Sequence, residues 1–230
     1  MKKVNLVFKM MVAAMICGVV FTSCGGGGVS APKSGLPSNE LLGNLPALYA
    51  DNQLAKEAEL KKLNADREKA KNIDESREAE QKMRPIIEKR ETEFREAVAA
   101  EWKKIDGKDV PFSASEAFNK SKMQVNSVKF NAGLKDIVID LVAKEEFKVS
   151  LNNLRDYDQI AYRVLAKDGS VIATRPVYVM DMSEVGGFTG ITIAAGQSLF
   201  LRGGNLEGIL NVNEDFVNFA KIEFIAQSEK

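Results

Sequence analysis

From Asp51 to Ile105 the chain carries 14 basic and 14 acidic side chains in 55 residues, with no glycine and a single proline. Ala, Glu, Lys, Arg and Leu dominate the stretch, and these are the strongest helix formers. Acid-first pairs recur four apart, at Glu57–Lys61, Glu78–Lys82, Glu80–Arg84 and Glu91–Arg95. Each adds about 0.2–0.5 kcal/mol on an exposed helix. A charged helical segment is therefore expected over 46–106. Its two halves differ. Before Pro85 apolar positions are thin; after it Ile87, Phe94, Ala97, Val98, Trp102 and Ile105 form a stripe, joined by Met83 and Ile86. Such spacing marks a face that must be buried, and Trp102 reads as core. Pro85 has no amide hydrogen and disfavours helix at Arg84, so a kink or break is expected there. Asp106-Gly107 ends the segment, with glycine free to take the left-handed cap.

Three arrangements suit this segment: a hairpin or bent helix folded on the domain that follows, a projecting stalk or oligomeric coiled coil, or a helix lying on lipid. If straight, it would reach roughly 80 Å. Arg77, Glu80 and Arg90 fall where heptad core positions belong, which counts against a coiled coil. Balanced Lys and Glu count against the lipid-surface type, which is basic.

From Val110 onward glycines multiply and β-branched runs replace the Glu/Lys pattern. Strands are expected at Lys122–Phe130, Lys135–Val142, Phe147–Leu151, Gln159–Ala166, Val171–Thr174, Val177–Met180, Gly190–Ala194, Ser198–Arg202, Leu206–Val212 and Asn218–Ala226. Ile160, Tyr162 and Val164 alternate inward against Arg163, and Asp168-Gly169 is a strong hairpin signal. Ile137-Val138-Ile139 is apolar on both faces, as a central strand would be. Ala114 to Lys120 suits a short helical turn. The fold class expected is α+β: a long charged helical segment, then an antiparallel β-sandwich over 108–230. The run from Val149-Ser150-Leu151-Asn152-Asn153 to Tyr162-Arg163-Val164 and Asp168-Gly169 loosely resembles immunoglobulin-like sandwiches of bacterial envelope proteins. That resemblance implies nothing about ligands.

The 230-residue chain has 32 Lys+Arg against 32 Asp+Glu and no histidine. Zero net charge argues against nucleic acid as a partner. Without histidine the commonest general base, the commonest zinc ligand and every Ser-His or Cys-His pairing are gone. Ser30 to Lys33 is the only S-x-x-K run, and it lies in a stretch of low complexity. No catalytic residue, metal ligand or cofactor is assigned. Two oxygen-rich patches have the composition of calcium ligands, Asp156-Tyr157-Asp158 and Asn211, Asn213, Glu214 and Asp215, but neither follows the D-x-D-x-D-G loop. Gly186-Gly187, Gly190 and Gly203-Gly204 with Gly208 read as β-turn glycines and match no phosphate-binding pattern. Tyr157, between Asp156 and Asp158, is the best candidate for an exposed ring in contact with a glycan.

Lys2 and Lys3 open the chain, an apolar run follows from Leu6 to Phe21 interrupted by Lys9, and Phe21-Thr22-Ser23-Cys24 comes next. The run is too short and broken to span a bilayer, which takes about 20 apolar residues, and it reads as a signal peptide over 1–23. Phe21-Thr22-Ser23-Cys24 resembles the lipobox of bacterial lipoproteins, with Phe21 where the family prefers leucine. The resemblance implies cleavage before Cys24 and acylation of its sulfur and nitrogen. Three acyl chains anchor firmly, at about 0.8 kcal/mol per buried methylene. It leaves a mature chain without a thiol and with a net charge of −3, from 29 basic against 32 acidic side chains. Residues 24–45 are then the lipidated cysteine and its tether. No aspartate follows Cys24, which by the same resemblance points to the outer membrane, facing the periplasm or displayed on the surface. The function expected is that of a non-enzymatic envelope lipoprotein whose sandwich binds a protein partner or serves as a structural module; a surface glycan-binding lipoprotein is the alternative.

Overall fold

The computed structural model describes residues 32–149, 160–179, 191–226 and 229. Two helices come first, α1 (Leu45–Lys69) and α2 (Ile73–Ile105). They pack on each other as an antiparallel hairpin. The break lies at 70–72, and α2 runs through Pro85 without interruption. This corrects the expected break at Pro85. Asn72 supplies the reason: its side chain accepts hydrogen bonds from the amides of Asp74 (3.0 Å) and Glu75 (2.9 Å), while Glu75 reaches back to the Lys71 amide at 2.8 Å. These contacts satisfy amides that a helix start leaves orphaned. Pro85 and Gln81, whose carbonyl loses its donor, are both exposed, so water can serve that carbonyl.

The remaining elements are β1 (Phe112–Ala114), α3 (Glu116–Asn119), β2 (Met123–Asn131), β3 (Asp136–Ala143), β4 (Phe147–Val149), β5 (Ile160–Ala166), β6 (Val171–Pro176), β7 (Tyr178–Val179), β8 (Ile191–Ile193), β9 (Ser198–Arg202), α4 (Leu206–Leu210), a 3₁₀ turn (Glu214–Asn218) and β10 (Phe219–Ala226). One sheet has the order β1-β10-β5-β6 and another β2-β3-β9-β7; β4 and β8 form a separate pair. The fold is α+β, a helical segment followed by sheets. All pairings between the named strands are antiparallel except β1 with β10, which is parallel. The stretch Leu206–Val212, expected as a strand, is instead α4: Leu206, Ile209 and Leu210 are buried at helical spacing and Asn205 caps the first turn. β1 was not expected at all.

Strands that change sheet close both edges. Gly107 and Val110 bond to β2, through Phe130 O at 2.9 Å and Val128 O at 2.9 Å, and the same stretch then runs on as β1 beside β10. On the other side β6 passes through buried Val177 into β7, which pairs with β9. Corners of this kind leave little unpaired edge for a further strand.

Both sheets and the base of the hairpin share one core. Ile137, Ile139 and Leu141 from one sheet and Tyr162, Val164, Ile222 and Phe224 from the other join Leu45, Tyr49, Val98, Trp102 and Ile105 from the helices. Trp102 is fully buried and meets Phe130 edge-on, with ring centroids 6.3 Å apart. The end of the expected tether belongs to this body as well. Leu42 and Leu45 are buried, and Asn39 donates to Val217 O (3.0 Å) and Phe219 O (2.8 Å) while accepting from Leu41 and Leu42. Ser34 donates to Asp51 on α1. The tether as expected, 24–45, is therefore folded in its last part, because Leu42 and Leu45 have apolar surface to bury.

Candidate functional site

Cys24 lies outside the described residues, as do Asp156, Tyr157 and Asp158. The second oxygen-rich patch is described, and its two asparagines are engaged within the fold, while Glu214 and Asp215 are exposed. Asn211 accepts from Gln53 on α1 through its backbone and side-chain oxygens, at 2.9 and 3.0 Å, and Asn213 accepts from the Asp215 amide at 2.9 Å. These residues dock a helix and cap a turn. Among the described residues no group of three or more Asp, Glu, Cys or His side chains is placed to hold a metal ion.

Two constellations absent from the sequence reading emerge. The first joins the hairpin to the sandwich. Asp136 starts β3 with its carboxylate fully buried, accepting from the amides of Ile137 (2.9 Å), Asn205 (2.9 Å) and Leu206 (3.3 Å), with Arg202 3.8 Å away. Burial pushes this carboxyl above its ordinary range, against the pull of the three amides and Arg202. Gly203 lies so close that a Cβ there would stand 2.2 Å from Ile137 Cγ1, and the Tyr162 hydroxyl donates to the Gly203 carbonyl. One turn on, Glu207 accepts from Lys135 (2.8 Å) and from the Tyr49 hydroxyl of α1 (2.9 Å). Burial raises the Tyr49 hydroxyl well above its ordinary value, and the Glu207 carboxylate adds to the effect. Both carboxylates are engaged by donors, and the arrangement fixes geometry.

The second constellation is the outer face of the β2-β3-β9-β7 sheet. Cross-strand neighbours share a face, and the register sets Ser127, Asp140 and Phe200 in one row, with Lys129, Val138 and Arg202 in the next. Phe200 is 55% exposed. A bulge at Asn126 breaks the β2 register, and its side-chain amide donates to Asp140 Oδ2 at 2.7 Å. Bulges re-aim side chains in this way. The other carboxylate oxygen, Asp140 Oδ1, is buried and has no hydrogen-bond partner within the protein. An exposed ring beside a carboxylate, an amide and an arginine suits recognition of a partner surface. The chain signals it poorly, because Leu199-Phe200-Leu201 is apolar throughout and does not say which residue points out.

Compared with protein-family models, curated proteins and solved structures, the chain matches none.

Proposed function

We propose that this is a non-enzymatic, lipid-anchored cell-envelope protein, acylated at Cys24 and held at the outer membrane as a tethered recognition or structural module facing the periplasm. The observation that carries the reading is the N-terminal pattern: Lys2 and Lys3, the apolar run from Leu6 to Phe21, then Ser23-Cys24 ahead of a glycine-rich stretch. The described body supports it. Ser34 and Asn39 pin the incoming chain to α1 and β10, so a pull on the anchor is delivered to the folded core. The sandwich then presents its Phe200 face to a protein partner in the envelope.

Mass spectrometry of the native product tests the anchor: the expected N-terminus is an acylated Cys24, and a retained leader or a bare thiol contradicts it. Co-purification from envelopes tests the module: a partner retained by the parent chain is expected to be lost with Phe200→Asp. A second reading, a surface glycan-binding lipoprotein, is favoured by the exposed Phe200 ring beside Asp140 and Asn126. Protease shaving of whole cells and a glycan array separate the two, because an intact protein and a silent array leave only the first.

A further inference from the structure

Where α1 meets the sandwich, a groove of about 270 Å³ runs beside the helix, against the stretch from the end of α4 to the start of the 3₁₀ turn. Pro46, Ala50 and Leu210 give it an apolar floor, and Val212 in its wall is 76% exposed, the most exposed of the large apolar side chains described. Hydrogen bonds within the fold fix the walls. Gln53 donates to both oxygens of Asn211, at 2.9 and 3.0 Å, and Asn213 donates to Ile172 O of β6 at 3.3 Å. The charged groups lining the groove are Glu57 and Glu214, both exposed, and neither carboxylate has a hydrogen-bond or ion-pair partner among the described residues. Beyond the Asn213–Ile172 bond the surface stays acidic. A second groove there is lined by Asp215, Asp168 and one cation, Lys167, which is already committed to Glu40 at 2.8 Å.

We propose that the groove beside Val212 docks a basic, extended segment of a protein partner, a contact separate from the Phe200 face. The lining is apolar at the floor and acidic at the rim. Lys and Arg have the matching form, an apolar stem under a cationic head. Carboxylates that no cation of this chain neutralises leave the positive charge for the partner to supply, and such complementarity selects the partner and speeds its encounter. From Pro46 to Glu57 the helix rises about 16 Å, the reach of about five extended residues. The volume falls short of the roughly 300–1,000 Å³ of small-molecule pockets. Anionic lipid headgroups attract basic segments and repel an acidic surface. A basic segment therefore suits the groove better than an enclosed ligand or a membrane. Because the walls are already held, docking leaves α1 and the 3₁₀ turn as they stand.

The test replaces Val212 of the full chain by photocrosslinking benzoylphenylalanine, irradiates the cells that make the protein, and sequences the crosslinked peptide. A crosslink to a protein segment with Lys or Arg within about five residues of the joined position is expected. Adding Glu57→Lys with Glu214→Lys is expected to lower its yield about tenfold or more, because like charges then face each other. Both positions are exposed, so the urea midpoint of that variant is expected to stay where it was. Changing the partner's basic residues to Glu is expected to restore the crosslink to the Lys variant only, which a misfolded surface could not do. Absence of a crosslink, a crosslink to lipid or to a segment without basic residues, or a yield indifferent to these charges overturns the proposal.

Discussion

The two halves of the helical hairpin are built from the same kinds of residue and held in different ways. At the base, Leu45, Tyr49, Val98, Trp102 and Ile105 enter the core of the sandwich. From Lys56 to Ala97, Met83 is the one buried side chain. There the helices meet through polar contacts. Arg90, 14% exposed, bonds to Glu59 at 2.7 Å and also to Asn52, and Arg67 reaches Glu80. The helix-forming residues run unchanged through both halves, so propensity does not distinguish them. Burial does, and most helical stability in proteins comes from packing. The base is expected to unfold only with the sandwich, and the distal half to open on its own.

The largest effect expected is that of Trp102→Ala, a loss of about 3–5 kcal/mol in global stability by urea denaturation. A loss confined to the hairpin, with the sandwich transition unmoved, would break the comparison. In the distal half Arg90→Met leaves Glu59 without its partner and is expected to cost about 1 kcal/mol, read as faster amide exchange near residues 56–90. Adding Glu59→Leu is expected to recover that loss, since a well-packed apolar pair replaces a half-buried ion pair at little cost.

Two carboxyl groups at the base give pH effects of opposite sign. Asp136 has its value raised above 3.8, so the native state holds that proton longer and stability falls as pH rises from 3.8 toward the raised value. For Glu101, burial raises the value, but Lys104 and the Asn44 amide more than offset it, and the net is below 4.5. Its contribution is present above 4.5 and lost as pH falls through the lowered value. Denaturation midpoints between pH 3 and 6 are expected to lose a falling slope with Asp136→Asn and a rising one with Glu101→Gln. Matching slopes from the two variants would contradict the assignment. The smallest change expected is that of Leu60→Ser, at 57% exposure in the distal half, which shifts global stability by no more than about 0.5 kcal/mol.

The helices were readable because 55 residues without glycine leave few alternatives, and the burial of Trp102 followed from the stripe after Pro85. The break was misplaced because proline is the loudest local signal, although Asn72 with Glu75 three residues on is also a helix-start pattern. Arg90 argued against a coiled coil on local grounds, and the structure shows why it stands in the seam: Glu59 and Asn52, more than 30 residues earlier, receive it. Leu206, Ile209 and Leu210 carry helical spacing, but Gly208 and the brevity of the run hid it. The Asp136 cluster depends on amides about 70 residues away, at Asn205 and Leu206. No pattern near Asp136 announces them. The same holds for Phe200 and Asp140, which become neighbours only through the β3–β9 register.

Hydrogen exchange of the full chain tests the division of the hairpin most directly. Amides of 46–55 and 98–105 are expected to exchange only as fast as those of β3 and β10, and amides of 60–82 at least tenfold faster, a difference of about 1.4 kcal/mol or more in opening free energy. Equal protection along the whole hairpin, or a base that opens without the sandwich, would contradict the account.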